Sequence, residues 1–302
     1  MRYYFAPMEG LTDSIYRRLH HKYFPGLDRY YMPFLSPTVH RTLTHREERE
    51  LPFADTESFT AIPQVLTKVP EDFLWAAEIC KDRGYCEVNL NLGCPSGTVT
   101  AKGKGSGMLR DPEGLERFLD AIFSVDVLPV SVKTRIGYEV PEEFPKLLEI
   151  YNRYPIVELT IHPRVRSQFY SGEVDMAQFR YAVENSKNPL CYNGDITSLA
   201  EAERIENVDA VMIGRGLVAD PGMVTGGTDR KALKSFCDEL LESYLVAFGG
   251  SRNAMFRLKE NWGFLVTRFE GSEKLWKRLR KTTDLAEYRS ITDEIFATLP
   301  MK

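Results

Sequence analysis

The chain has 302 residues, a net charge of −4 and 43% hydrophobic residues, the composition of an ordinary globular protein. No basic apolar leader and no run of about 20 apolar residues is present, so the sequence predicts a cytoplasmic protein rather than a membrane protein. Because the net charge is slightly negative, a nucleic-acid partner would have to bind a local basic patch.

Short apolar runs alternate along the chain with helix-like segments, a pattern typical of βα units around a parallel sheet. Several runs are apolar on both faces, as in 129–132 and 210–213, which is typical of parallel strands covered on two sides. Asp111 is a predicted N-cap for a helix at 112–124. The predicted strands are 3–7, 30–34, 61–66, 87–91, 129–133, 157–162, 190–193 and 210–213. Eight such units predict a (β/α)8 TIM barrel, with a doubly wound sheet as the alternative.

Strand patterns end near residue 227, and the rest of the sequence has helical periodicity. The predicted helices are 229–248, 252–269, 272–280 and 285–297. We therefore expect a barrel domain at 1–227 and a C-terminal helical domain at 228–302.

Polar residues lie at the C-terminal end of nearly every predicted strand, where TIM barrels place their active sites. The last two of these clusters have a specific interpretation. In TIM barrels, the loops after strands seven and eight commonly hold a phosphate group. Glycines there let backbone N–H groups approach the anion, and an arginine can add a bidentate contact. The sequence therefore predicts a phosphate site at Asn193, Gly194, Asp195, Gly214 and Arg215, although each cluster alone is also compatible with an ordinary turn.

Three further side chains are candidates for chemistry. Lys133 ends an apolar strand, where a buried ammonium needs a partner; a structural ion pair, a Schiff base and a donor to a cofactor edge all remain open. His162 is compatible with a structural or a ligand-binding role. Cys94 lies between Gly93 and Pro95, before a Gly-rich segment at 96–106 that we expect to be a mobile loop. A thiol with the ordinary pKa of about 8.5 is mostly protonated at pH 7, which suits a general acid as well as a nucleophile.

Neither a disulfide framework nor a metal site is predicted. The five cysteines form no CxxC pair, and the remaining histidines suggest no ligand set with cysteine or carboxylate partners.

Taken together, the motifs resemble those of the bacterial tRNA-dihydrouridine synthase family, in order and spacing, from residue 2 to about residue 220. The matching elements are Ala6-Pro7-Met8-Glu9-Gly10, Gln64, Asn91-x-Gly93-Cys94-Pro95-Ser96, Met108-Leu109-x-Asp111-Pro112, Val132-Lys133-x-Arg135-x-Gly137, His162-x-Arg164, Asn193-Gly194-Asp195 and Ile213-Gly214-Arg215-Gly216.

This resemblance implies an FMN-containing barrel with a helical tRNA-binding domain. NADPH would reduce the flavin, hydride would pass from flavin N5 to C6 of a uridine, and Cys94 would protonate C5. Pro7, Met8, Gln64 and Lys133 would contact the isoalloxazine, with Lys133 at its N1/O2 edge. His162, Asn193, Gly194, Asp195, Gly214 and Arg215 would hold the ribityl phosphate. Asn91, Arg135 and Arg164 would face the substrate.

A basic helix face supports the expected RNA substrate. Residues 252–281 carry nine Lys/Arg against three Glu, and Lys274, Lys277, Arg278 and Lys281 share one face of a predicted helix. The resemblance favours phosphate contact over an ordinary solvated face. A monomer is expected.

Two departures concern the substrate side. Gly97 stands where the family often has a basic residue, and His162-Pro163-Arg164-Val165 replaces the usual His-Gly-Arg-Thr. Both departures leave the flavin interpretation intact and concern the choice of RNA target.

The alternative functions are a synthase acting on ribosomal RNA, an FMN-dependent dehydrogenase of a small pyrimidine, an RNA-binding module on an inactive barrel, or a Schiff-base aldolase.

Overall fold

The computed structural model describes residues 1–302, which form nine strand segments and thirteen α-helices. The strands are β1 (Arg2–Phe5), β2 (Arg29–Tyr31), β3 (Ala61–Ile62), β4 (Gln64–Val65), β5 (Val88–Leu92), β6 (Val130–Gly137), β7 (Leu159–Val165), β8 (Leu190–Asn193) and β9 (Ala210–Ile213). The helices are α1 (Ser14–Tyr23), α2 (His45–Glu50), α3 (Pro70–Asp82), α4 (Gly97–Thr100), α5 (Pro112–Phe123), α6 (Phe144–Tyr151), α7 (Met176–Asn185), α8 (Leu199–Glu203), α9 (Arg215–Ala219), α10 (Arg230–Phe248), α11 (Ser251–Leu265), α12 (Glu273–Lys281) and α13 (Leu285–Thr298).

The strands form one parallel sheet in the order β3-β2-β1-β9-β8-β7-β6-β5-β4. Only Pro63 separates β3 from β4, and proline interrupts a strand because it has no backbone N–H. Since β3 pairs with β2 and β4 pairs with β5, this single extended run joins the two edges of the sheet. The result is a closed barrel of eight strands. The predicted TIM-barrel fold is confirmed, and each predicted run overlaps an observed strand.

Two helices begin at the N-cap residues that the sequence predicts. Asp111 caps α5, its carboxylate accepting the N–H of Gly114 at 2.9 Å, with Pro112 in the first turn. Asp229 caps α10 in the same way through the N–H of Ala232 at 2.8 Å. The segment after Cys94, predicted to be a mobile loop, instead forms α4 and a 3-10 helix at Gly105–Arg110.

Below the active-site end, the barrel interior holds a buried carboxylate. Glu158 accepts hydrogen bonds from the hydroxyls of Tyr4 at 2.9 Å and Tyr31 at 3.1 Å, and Arg2 lies 3.6 Å away. Burial raises the pKa of Glu158. Because Glu158 immediately precedes β7, at the N-terminal side of the barrel, we assign this cluster to stability rather than to catalysis.

By internal packing the chain divides into two compact units. The first comprises Met1–Pro7, Asp28–Asp195 and Ala202–Ile213, and it contains all the strands; the second comprises Met8–Leu27, Ile196–Glu201 and Gly214–Lys302. Within the second unit, α10 packs on α1 and α11, and α12 packs on α13. Aromatic side chains pack edge to face in its core; for example, the ring centroids of Tyr16 and Phe236 lie 5.3 Å apart. The predicted functional boundary at 227/228 stays a prediction.

None of the thirteen helices is both long and apolar enough to cross a membrane.

Candidate active site

A chain of buried amides crosses the barrel beneath its C-terminal end. Strand register sets Gln64 beside Asn89 on neighbouring strands. Gln64 donates through Nε2 to Asn89 Oδ1 at 2.7 Å, and its Oε1 accepts from Asn91 Nδ2 at 2.7 Å. Asn89 in turn donates to the hydroxyl of Ser131 at 2.9 Å. Buried amides cost little when their hydrogen bonds are satisfied, so this chain fixes the orientation of Asn91.

Asn91 and Ser106 together hold the backbone of Cys94. The Oδ1 atom of Asn91 accepts the N–H of Cys94 at 2.9 Å and that of Gly93 at 3.1 Å. On the other side, the carbonyl of Cys94 accepts the Ser106 hydroxyl at 2.8 Å and the Ser106 N–H at 3.2 Å. Gly105 makes this approach feasible, because it has a φ of +57° and a Cβ there would lie 3.0 Å from Cys94 Cβ. The half-buried thiol therefore projects from a backbone that is fixed on both sides.

Lys133 lies next to Asn91 in the register of β5 and β6. Its ammonium donates to Asn193 Oδ1 at 2.7 Å, and no carboxylate pairs with it. Burial and the nearby Arg135 together lower the pKa of Lys133 to about 7, while Cys191 and Cys94 oppose the shift. Asn193 is itself held, since its Nδ2 donates to the carbonyl of Met212 at 2.8 Å. A half-buried cation without a counter-ion favours an anionic ligand at this position.

A second polar group lies at the ends of β7 and β8. Arg164 is fully buried and contacts His162 Nε2 at 3.0 Å, Asp195 in a salt bridge, and the carbonyl of Gly172 at 2.5 Å. Asp195 adopts a φ of +44°, in the left-handed region that non-glycine residues rarely occupy. At Gly194 a Cβ would lie 2.9 Å from Val174, so only glycine keeps this turn compact. Arg164 therefore fixes the turn that carries Asp195, and its expected role at the substrate stays a prediction.

Arg135, also expected at the substrate side, is buried as well. It donates to the carbonyl of Gly93 at 2.8 Å and to that of Val165 at 3.1 Å, so it ties the Cys94 turn to the end of β7. Burial lowers the pKa of Arg135 to about 10. Its guanidinium lies 5.4 Å from the centre of the Tyr170 ring, which also stacks on His162 at 6.1 Å. Tyr170 is 55% exposed and borders the site.

The remaining predicted cofactor residues divide between the two units. Pro7 belongs to the first unit, whereas Met8, Gly214 and Arg215 belong to the second. Gly214 is the N-cap position of α9, and Arg215 is its first residue. Pairing of this turn with Asn193 and Asp195 stays a prediction.

The predicted basic face is present on α12. A surface groove of about 400 Å³ is lined by Lys274, Lys277, Arg278, Lys281, Thr282 and Glu287. Arg278 pairs with Glu294 at 3.2 Å, and Glu287 accepts the Thr282 hydroxyl at 2.6 Å. The three lysines form no ion pair within the chain, so their charges are available to a ligand. We call this feature the basic groove.

Several residues that complete the site have little or no signal in the sequence. Asn89 stands out only as a polar residue near a strand end, and Ser106 only as part of a Gly-rich segment. Tyr170 carries no sequence signal, because its position over Arg135 depends on a contact between residues 35 positions apart. No three His, Cys, Asp or Glu side chains are grouped so as to hold a metal ion.

Comparison with known proteins identifies the family of this chain. The family model described as dihydrouridine synthase matches residues 4–290. The chain belongs to the dihydrouridine synthase family. Membership confirms the family resemblance that the motifs predict.

Individual relatives carry the same family name. The chain is 32% identical over 225 residues to the tRNA-dihydrouridine synthase B of Pasteurella multocida, covering 73% of this chain and 67% of that protein. It is 28% identical over 310 residues to a probable tRNA-dihydrouridine synthase of Staphylococcus aureus, covering 97% and 93%. Among solved structures, morphinone reductase aligns with a TM-score of 0.51 and 13% identity, covering 74% of this chain and 84% of that one, a likeness of fold alone.

Proposed function

We propose that this protein is a flavin-dependent tRNA-dihydrouridine synthase that reduces the C5–C6 double bond of uridines, with FMN as cofactor and NADPH as reductant. The observation that carries the proposal is the Cys94 turn, fixed by Asn91 and Ser106 beside the unpaired ammonium of Lys133. Membership of the dihydrouridine synthase family supplies the reaction class. We further propose a monomer that acts in the cytoplasm and needs no metal.

The residues at the strand ends fit a flavin mononucleotide. Its phosphate and its N1/O2 edge both need positive charge or hydrogen-bond donors. Lys133 offers an ammonium without a carboxylate, and the Nε atom of buried Arg164 has no hydrogen-bond partner. We assign Lys133, Gln64, Pro7 and Met8 to the ring system. The ribityl phosphate is assigned to His162, Asn193, Gly194, Asp195, Gly214 and Arg215.

The flavin, when bound, supplies the hydride that is added at C6 of the uracil. The protein must supply the matching proton at C5, and we assign its donation to Cys94, whose backbone is held by Asn91 and Ser106. Asn91 aligns the thiol by holding the Cys94 N–H, and we place it against the uracil face as well. We assign to Lys133 the stabilisation of the negative charge that the flavin would accumulate when it is reduced. Arg135 and Arg164 hold the Cys94 turn and the Asp195 turn, and we propose that both also face the substrate.

The target uridine is normally stacked in RNA, so it must be flipped out at a cost of a few kcal/mol. Contacts with the RNA backbone offset that cost. The basic groove offers three unpaired lysines and Arg278, which is the complement of a phosphate backbone. A dehydrogenase of a free pyrimidine would not require this groove.

Removing charge from the groove is expected to weaken RNA binding. Lys274, Lys277 and Lys281 changed together to Gln should raise the Kd for tRNA about 10-fold or more. The slope of log Kd against log salt should fall by about one for each phosphate that the variant no longer binds. A matched control changes the exposed Lys81, Lys187 and Lys231 to Gln, which alters the net charge equally and should leave both quantities unchanged. Equal salt slopes for the two triple variants would remove the groove from the RNA site.

The cofactor proposal is tested by the absorption spectrum. Purified protein, supplemented with FMN and passed through a desalting column, should retain an absorption band near roughly 450 nm. Under anaerobic conditions, NADPH should remove this band by reducing the flavin. A protein that retains no flavin would contradict the proposed function at its first step.

A further inference from the structure

Two arginines meet beside the segment that follows Cys94. Arg110 ends the 3-10 helix at Gly105–Arg110 and donates through Nη2 to the carbonyl of Thr100 at 2.9 Å. Arg166 follows β7 and donates through Nη2 to the hydroxyl of the same Thr100 at 3.2 Å. We call these two residues the arginine pair.

The arginine pair also shares an aromatic ring. The guanidinium of Arg110 lies 4.6 Å from the centre of the Tyr138 ring, and that of Arg166 lies 5.4 Å from it. Arg166 additionally lies 5.0 Å from the centre of the Phe169 ring. Stacking of this kind orients the planar guanidinium groups, but a π-face offers only a weak counter-charge.

No carboxylate neutralises these two charges. Neither Arg110 nor Arg166 forms an ion pair within 4.0 Å, and the buried Nε of Arg166 has no hydrogen-bond partner. Two like charges that converge on one residue repel each other, and the repulsion falls when an anion bridges them. The planar donor fork of arginine matches the oxygens of a phosphate group, so phosphate is the ligand chemistry that this arrangement fits.

We infer that Arg110 and Arg166 bind one phosphodiester of the RNA backbone next to the reacting uridine, an inference that rests on the proposed function. The 2′-phosphate of NADPH has the same chemistry. The neighbouring rings favour RNA, because Phe169 is 42% exposed and Tyr170 is 55% exposed, and exposed aromatic faces stack on unpaired bases. Phe169 holds an unusual φ of +52°, consistent with a backbone that is constrained at a binding surface.

The test measures tRNA binding at several salt concentrations for the full-length R110Q, R166Q and R110Q/R166Q proteins. Each single variant should raise the Kd for tRNA about 10-fold, as expected when a charge-assisted hydrogen bond is removed. Because both arginines hold one phosphate, the double variant should be weakened by less than the product of the single effects. The slope of log Kd against log salt should fall by about 0.7 to 0.9, and by the same amount in the single and the double variants. The control R180Q removes an exposed arginine from α7 and should match the wild type.

Three outcomes would overturn the inference. A lower melting temperature with an unchanged salt slope would make the arginine pair a structural support. A raised KM for NADPH in flavin reduction, with unchanged tRNA affinity, would assign the phosphate to the reductant. Multiplicative effects in the double variant would mean that each arginine binds a separate group. A wild-type protein that neither binds nor reduces tRNA would instead overturn the proposed function, so the two failures are distinguishable.

Discussion

Changing Cys94 to Ala is expected to lower the rate of dihydrouridine formation by about 10²–10⁴, the usual contribution of a general acid. The reason is geometric: the thiol projects from a backbone that is fixed by Asn91 on one side and Ser106 on the other. Reduction of the flavin by NADPH should stay within about two-fold of the wild-type rate, because that half-reaction needs no proton from Cys94. Single-turnover measurements of each half-reaction separate the two effects.

Cys86 provides the matched control. It is an exposed thiol that donates a weak hydrogen bond to the carbonyl of Gly84 at 3.9 Å, and C86A should behave as the wild type in both half-reactions. Wild-type turnover by C94A would contradict the assignment of the proton donor.

Changing Lys133 to Met should slow reduction of the flavin by about 10²–10³, the typical effect of removing one electrostatic donor to a developing charge. Methionine keeps most of the length of the side chain, so the effect reports charge more than packing. Asn193 would also lose the ammonium that its Oδ1 accepts at 2.7 Å. Rapid mixing of the oxidised protein with NADPH measures this step directly.

The pH dependence of the same step identifies the group. The active form of Lys133 is the ammonium, and burial lowers its pKa to about 7 in the protein without an anion. A bound anionic ligand raises this pKa, because it stabilises the charged form. The rate of flavin reduction by the wild type should therefore fall as pH rises through a pKa at or above 7. In K133M, this fall in rate at high pH should be absent. An identical pH profile in both proteins would remove Lys133 from the electrostatic role.

Much of the barrel can be predicted because its strands are buried on both faces and its helices begin with clear caps, as at Asp111. The pairing around Pro63 cannot: the proline marks an interruption, but the pairing of β3 with β2 and of β4 with β5 depends on the register of distant strands. The order in the segment after Cys94 escapes prediction for a related reason. Its glycines suggest mobility, whereas the two hydrogen bonds from Ser106 to the Cys94 carbonyl hold it in place.

The residues proposed to carry the chemistry are easier to predict from the sequence than the residues that hold them in place. Cys94, Lys133 and Asn193 are conspicuous because their residue types are unusual at the ends of apolar strands. The expectation that Arg135 and Arg164 face the substrate stays a prediction. Their partners within the chain are carbonyls and a carboxylate from other strands and turns, and only the tertiary structure reveals these contacts.

The most direct test of the central claim is a mass measurement on RNA. The purified protein, with FMN and NADPH, should add two hydrogens to particular uridines of an unmodified tRNA transcript. The modified nucleotides would be located by mass spectrometry of the digested RNA, and C94A would serve as the inactive control. Conversion of uridine in tRNA by the wild type alone is the predicted result. A flavin-loaded protein that reduces free pyrimidines or ribosomal RNA, and leaves tRNA unchanged, would contradict it.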